Sequence, residues 1–186
     1  MKIRADLNRA ILSAINTRES CKPDNANSLT VVMLALDHFD LALDVWPFRV
    51  NKFAGMLHIP DGQYTITVNR DHPVKKRVFT MAHEIGHYVL HLDQMAEFAC
   101  SDLFTTENRR IEMEANRFAA ELIMPINEFV LAIDAYGINF SKVADHFFVS
   151  EEATRWRYVD ITSEQLGIPK AEAIEKVIRT YKRNWI

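Results

Sequence analysis

Cysteine is scarce in this sequence, and long apolar runs are absent. The 186 residues include only two cysteines, Cys21 and Cys100, and neither shows the spacing of a metal-binding pair. No apolar run reaches the roughly 18 residues that suggest a transmembrane helix, and residues 1–6 lack the apolar core of a signal peptide. We therefore expect a cytoplasmic protein without a membrane span, in which both cysteines are free thiols.

A strong positive charge is also missing. The formal net charge is −3, and 25% of the residues are charged while 48% are hydrophobic, which is typical of a globular protein. Such a balance provides no broad electrostatic attraction for nucleic acid, so direct nucleic-acid binding is not expected. The length suits one main domain with an appendage, which we place at residues 1–125 and 126–186.

The most informative string that is present is His83-Glu84-Ile85-Gly86-His87, which lies in an apolar stretch of helical character. Residues four apart share one face of a helix, so both imidazoles can point at one ion. Zn²⁺ accepts such nitrogens readily. Glu84 can reach a metal-bound water, which makes it a candidate general base for peptide hydrolysis. The string also occurs by chance, so a third ligand is needed to support this interpretation.

Two carboxylates compete for the place of third ligand. Residues 109–125 have helical periodicity, and they contain both Glu112 and Glu114. The neighbours of Glu114 one turn away are largely charged, whereas Glu112 borders the apolar face, so helical geometry favours Glu112. Asn116 lies one turn beyond Glu112 and is a candidate hydrogen-bond partner for a ligating histidine. Surface ion pairs are the alternative for both glutamates.

Two segments together, residues 77–91 and 112–125, resemble the ImmA/IrrE family of metallopeptidases. The resemblance is good over residues 45–125 and extends more weakly to about residue 158. It implies an α+β, zincin-like core with an active-site helix, a small antiparallel sheet and a second helix that carries a glutamate. It also implies that His83, His87 and Glu112 bind Zn²⁺ and that Glu84 is the catalytic base, as in gluzincin-like hydrolases.

The same resemblance implies a function. Members of the family cut helix-turn-helix repressors or promote their cutting, and they are often encoded in mobile elements, stress-response operons or toxin–antitoxin-like pairs. We therefore expect a zinc-dependent endopeptidase that acts on a DNA-binding repressor, an antitoxin or another regulatory protein. The alternative is a non-proteolytic regulator that binds a repressor or DNA and holds a structural zinc. The intact Glu84 argues against this alternative, because a structural site needs no general base.

A β-hairpin is predicted before the histidine motif. Residues 53–59 and 64–69 flank Pro60-Asp61-Gly62, which is a strong turn signal. We predict that the second run is an edge strand, in which Thr65, Ile66, Thr67 and Val68 pair with an extended substrate. A purely structural edge strand is the alternative. Upstream, the pattern predicts a helix over 3–16 and a short strand over 41–45, and the resemblance favours a helix over 29–36.

Further residues near the motif have candidate roles in packing or catalysis. Gly86 inside a helix costs about 1 kcal/mol relative to alanine, which suggests that a backbone or the substrate approaches it closely. His91 is predicted at the helix end, where the helix dipole favours histidine. A tetrahedral intermediate needs a donor besides zinc. The candidates for this donor are Tyr88, His91, Arg77, Arg110 and Tyr136, and the sequence does not choose among them.

The C-terminal third resembles a helix-turn-helix pair, with Ser141 and Ser150 as predicted N-caps. Phe148 occupies the turn position that glycine usually holds. The second helix opens with two glutamates, which would repel phosphates, so we predict a scaffold or partner-docking unit rather than a DNA reader. A last helix opens at Pro169. Residues 170–186 contain five Lys or Arg and two Glu, which favours either a solvated basic face or docking of an acidic partner.

Overall fold

The structure is a computed structural model that describes residues 2–24, 26–48, 53–98 and 106–183. The chain forms two compact units, residues 1–123 and residues 124–186. The α+β class predicted from the sequence is confirmed. The first unit contains, in chain order, α1 (Lys2–Cys21), α2 (Ser28–His38), β1 (Ala42–Trp46), β2 (Gly55–His58), a 3-10 turn (Pro60–Gly62), β3 (Thr65–Asn69), α3 (Val74–Phe98) and α4 (Thr106–Ile123).

Two N-terminal helices pack against α4. Helix α1 extends beyond the predicted residue 16, because the Arg18 guanidinium donates to the backbone oxygen of Leu122 at 3.0 Å and ties the last turns of α1 to α4. The ambiguous apolar run is a helix, α2, which begins after Asn27. The Asn27 side chain caps it by accepting from the backbone N–H of Thr30 at 3.1 Å. Cys21 is a free thiol, whereas Cys100 lies outside the described residues.

The sheet has three described strands in the order β1-β3-β2. The predicted hairpin is confirmed, since β2 and β3 pair antiparallel, with Gly55 opposite Val68. The prediction of an antiparallel sheet is wrong in one respect, because β1 pairs parallel with β3 and the sheet is mixed. A parallel pair needs a connection of about a dozen or more residues. Here the segment between β1 and β3 contains β2, and β3 lies between the two strands that precede it in the chain.

This order corrects the predicted position of the substrate-binding strand. Thr65, Ile66, Thr67 and Val68 form part of the central strand, and each pairs with β1 on one side and β2 on the other. All residues of β3 are buried. The prediction of an edge strand at this position is therefore wrong. The backbone of these four residues already pairs with a strand on each side, so an extended substrate cannot pair with it. The edge strands of the described sheet are β1 and β2.

Gly86 lies where α3 packs on α4. A Cβ atom there would be 3.1 Å from Cδ1 of Phe118 and 3.2 Å from both Cα and O of Ala115. The backbone of α4 therefore approaches α3 as closely as a glycine permits, which bears out the expectation of a close backbone approach. Beside this contact, Ala82, Ile85, Ala115 and Ala119 are fully buried. The contact holds the part of α4 that carries Glu112 against the histidine-bearing face of α3.

The described part of the second unit is helical, and its helices are α5 (Ile126–Tyr136), α6 (Phe140–Phe147), α7 (Glu151–Leu166) and α8 (Lys170–Arg183). Asn139, rather than the predicted Ser141, caps α6, because its side chain accepts from the backbone N–H of Lys142 at 3.1 Å. Ser150 caps α7 as predicted, accepting from Ala153 at 3.1 Å. Between these helices Phe148 has a left-handed backbone, with φ 58°.

In the described part of both units, no helix combines the length and the apolar character that a membrane crossing would require.

Candidate metal centre

Two histidines on α3 point at the same place. His83 and His87 lie one helical turn apart, and their Nε2 atoms are 3.0 Å from each other. Their rings meet edge to face with centroids 4.6 Å apart. Both side chains are largely buried. The two imidazoles therefore lie on one face of α3, as the spacing predicted.

Glu112 of α4 meets this histidine pair. Its Oε2 lies 3.3 Å from Nε2 of His83, and its Oε1 lies 3.3 Å from Nε2 of His87. Hydrogen bonds with His83 and His87 hold the pKa of the Glu112 carboxyl well below its usual range. The three residues each offer one ligand atom, and these atoms all lie within 4.8 Å of one another. Two imidazole nitrogens and a carboxylate oxygen are a donor set that suits a catalytic zinc, with one position left for water.

Glu84 lies on the same helix, beside the cluster. Its side chain is buried, with 8% of the residue exposed. Burial raises the pKa of the Glu84 carboxyl, and the neighbouring His83 and His87 oppose this shift. The backbone N–H of Leu57, in edge strand β2, donates a hydrogen bond to this carboxylate. The bond fixes the orientation of Glu84 and brings an edge of the sheet next to it.

Asn116 contacts the outer nitrogen of His83. Its Oδ1 lies 3.0 Å from Nδ1 of His83. An amide oxygen only accepts hydrogen bonds, so Nδ1 of His83 must carry the proton. The lone pair of His83 is then on Nε2, the atom that faces Glu112. Asn116 thus contacts one of the two histidines that the sequence predicts as metal ligands.

His91 and Glu114 form a second pair behind the cluster, and sequence reasoning missed it. His91 Nε2 lies 2.9 Å from Glu114 Oε2, with side-chain exposures of 1% and 2%. The predicted helix-end position of His91 is wrong, because α3 continues to Phe98 and α4 covers this face. The expected outward position of Glu114 is also wrong. The side chain of Glu112 is 57% exposed. The carboxylate that meets the histidine pair is therefore the more exposed one of Glu112 and Glu114.

Burial lowers the pKa of His91, and this effect outweighs the hydrogen bond with Glu114, which raises it. On its other side Glu114 contacts Arg110, whose Nε is 3.2 Å from Glu114 Oε1. One signal in the sequence could have revealed the pair. Three histidines recur at intervals of four residues, at positions 83, 87 and 91, and this places all three on one helix face.

Comparison with known proteins gives the family. A family model described as the IrrE N-terminal-like domain, a peptidase family, matches residues 31–158. The chain belongs to this family. The resemblance to ImmA/IrrE metallopeptidases inferred from the motifs is thereby confirmed.

Individual relatives agree with this assignment. The chain is 31% identical to Metallopeptidase ImmA of Bacillus subtilis (strain 168) over 106 residues, which are 54% of this chain and 59% of that protein. The match therefore spans somewhat more than half the length of this curated relative. A solved structure described as a Mycobacterium tuberculosis transcriptional regulator shares the fold, with a TM-score of 0.63 at 18% identity, over 84% of this chain and 50% of that one.

In this member of the IrrE-like family, several candidates for the oxyanion donor have other contacts. Tyr88 packs edge to face on Tyr64, with ring centroids 5.3 Å apart. His91 and Arg110 both contact Glu114. Tyr136 belongs to the second unit, where its ring lies 5.6 Å from that of His146.

Proposed function

We propose that this chain is a zinc-dependent endopeptidase. The observation that carries the proposal is the convergence of His83, His87 and Glu112 beside a buried glutamate, Glu84. Membership of a metallopeptidase family supports it. A purely structural zinc would need no buried, oriented carboxylate beside an incomplete ligand set.

In this proposal His83 and His87 bind zinc through Nε2 and Glu112 through a carboxylate oxygen. When bound, zinc supplies Lewis-acid chemistry, polarising a carbonyl and acidifying water. Glu84 then takes the proton of the attacking water on its carboxylate and passes it to the nitrogen of the leaving amine. Burial, which raises the pKa of Glu84, makes its carboxylate a stronger base for taking the proton of the attacking water.

The edge strand β2 replaces β3 as the proposed substrate-binding strand. It pairs with β3 on one side only, and the hydrogen bond from Leu57 brings it next to Glu84. An extended peptide that adds to this edge would pass beside the proposed base. Met56 in the strand and Ile59 just after it are exposed apolar side chains, available to contact such a peptide.

The proposed substrate is a helix-turn-helix repressor, an antitoxin or another regulatory protein in the cytoplasm. This part of the proposal rests on the resemblance to the ImmA/IrrE family. The negative net charge of the chain agrees with a protein substrate rather than direct nucleic-acid binding.

The test compares metal content and cleavage. Elemental analysis should find one zinc per wild-type chain, little in Glu112→Ala, and an unchanged amount in Glu152→Ala, an exposed glutamate of the second unit. Zinc-loaded protein is then incubated with a candidate repressor, and fragments are identified by mass spectrometry. Glu84→Gln should bind zinc and leave the repressor intact. If Glu84→Gln relieves repression in cells as well as the wild type does, the non-proteolytic alternative replaces this proposal.

A further inference from the structure

We propose that Glu114 and His91 are positioning residues for the metal centre. Through two hydrogen bonds, Glu114 fixes His87 in the tautomer that presents its Nε2 lone pair to the metal. This inference rests on the proposed zinc site. It concerns the inner side of that site, where α3 and α4 face each other and where the sequence did not predict that these two residues pair.

The geometry forms a continuous chain of polar atoms. Glu114 Oε2 lies 2.9 Å from His91 Nε2, and His91 Nδ1 lies 3.3 Å from His87 Nδ1. The other nitrogen of His87, Nε2, lies 3.3 Å from Glu112 Oε1. Both nitrogens of both imidazoles are therefore engaged along one path from the buried carboxylate to the cluster.

The direction of this chain follows from which atoms can donate. A carboxylate only accepts, so His91 Nε2 must carry a proton. With that proton on Nε2, the imidazole of His91 presents the lone pair of Nδ1 to His87 and accepts from His87 Nδ1–H. His87 is left with its lone pair on Nε2, the nitrogen that faces Glu112.

The two histidines of the cluster are thus supported differently. His83 donates to the neutral amide oxygen of Asn116, which is exposed. His87 is supported by the carboxylate of Glu114 through His91, and the side chains of both partners are at most 2% exposed. Hydrogen bonds are stronger where water is excluded. We expect the support of His87 to be the more important of the two for metal affinity.

A structural role, in which the pair only packs α3 on α4, makes different predictions. Glu114→Gln has nearly the same shape, yet its amide can either donate or accept, so it no longer dictates the tautomer. We expect this variant to bind zinc about 10–100-fold more weakly, as measured by chelator competition. The matched control is Glu121→Gln, another buried glutamate of α4, at 4% exposure, which should bind zinc within about threefold of wild type.

A second pair of variants covers the case in which Glu114→Gln does not fold. His91→Gln retains one donor and one acceptor, whereas His91→Leu retains neither. Zinc affinity should fall more in His91→Leu than in His91→Gln. Equal affinities for these two variants would overturn the proposal, as would an affinity of Glu114→Gln equal to that of the wild type.

A direct reading of the tautomer is independent of activity. Nitrogen-15 NMR of the zinc-loaded wild type distinguishes imidazoles protonated at Nδ1 from those protonated at Nε2. We expect His91 to carry its proton on Nε2, and a proton on Nδ1 would overturn the proposal. If the wild type binds no zinc even after reconstitution, the proposed metal centre itself fails, which is a different outcome from normal zinc binding by Glu114→Gln.

Discussion

Replacing Gly86 with alanine would add one methyl group at the contact between α3 and α4. Two forces oppose each other there. Alanine is favoured over glycine in a helix by about 1 kcal/mol. Against this, the new Cβ would lie 3.1 Å from Phe118 Cδ1 and 3.2 Å from Ala115 Cα and O. Overpacking of this kind costs about 1–3 kcal/mol.

The structure decides which effect is larger. Two of the three close atoms belong to the backbone of α4, so a rotamer change cannot relieve the contact and α4 must move by a few tenths of an ångström. We expect a net loss of about 1 kcal/mol, which corresponds to a fall of about 2–4 °C in the melting temperature. Glu112 lies one turn from Ala115, so zinc binding should weaken as well, because metal sites tolerate distance errors of only about 0.2 Å.

The assay combines differential scanning calorimetry of the metal-free protein with zinc titration. Asn16→Ala, at an exposed position of α1, is the control for helix propensity alone and should not lower the melting temperature. Trimming Phe118 to leucine in the Gly86→Ala background should not restore zinc affinity, because the contacts with Ala115 remain. A Gly86→Ala protein with a higher melting temperature and wild-type zinc affinity would refute the reasoning.

Three further predictions follow from the site and the caps. Glu84→Gln should keep its zinc while peptide cleavage, followed by mass spectrometry, falls by about 10²-fold or more, because the proton acceptor is lost. A chelator should lower the melting temperature of the zinc-loaded wild type and leave that of Glu112→Ala unchanged, since a metal stabilises only the protein that binds it. Asn139→Ala should destabilise the second unit by about 1 kcal/mol in thermal melts, whereas Ser141→Ala should have little effect.

Each of these has an outcome that contradicts it. Cleavage by Glu84→Gln at the wild-type rate would exclude this residue as the base. An equal response of Glu112→Ala and wild type to the chelator would remove Glu112 from the ligand set. A larger loss of stability in Ser141→Ala than in Asn139→Ala would contradict the observed start of α6.

The choice between Glu112 and Glu114 shows where sequence reasoning reached its limit. The two residues lie on different faces of α4, so only one can meet the histidine pair. The charged neighbours of Glu114 suggested an outward position, yet Glu114 is buried and paired with His91. The charge of neighbouring residues is a poor guide to exposure when the carboxylate pairs with a buried residue on another helix. The metal-binding role of Glu112 stays a prediction, although the structure places it where that role requires.

The hairpin illustrates a second limit. Its turn, its two strands and their antiparallel pairing were predictable because Pro60-Asp61-Gly62 and the flanking alternation are local signals. Whether β3 lies at the edge or in the centre depends on where β1 joins the sheet. That choice is made by packing between segments that are distant in the chain. The prediction of β3 as an edge strand for the substrate was wrong for this reason.

What the sequence by itself determined is the chemistry of the motif. The spacing of His83 and His87 places both imidazoles on one helix face whatever surrounds the helix, and Glu84 follows directly in the chain. Only the tertiary structure decided which glutamate of α4 meets them, that His91 and Glu114 are buried behind His87, and that β2 is the edge strand beside Glu84. These are contacts between elements far apart in the chain. They depend on how closely α4 and the sheet pack on α3, which local periodicity does not encode.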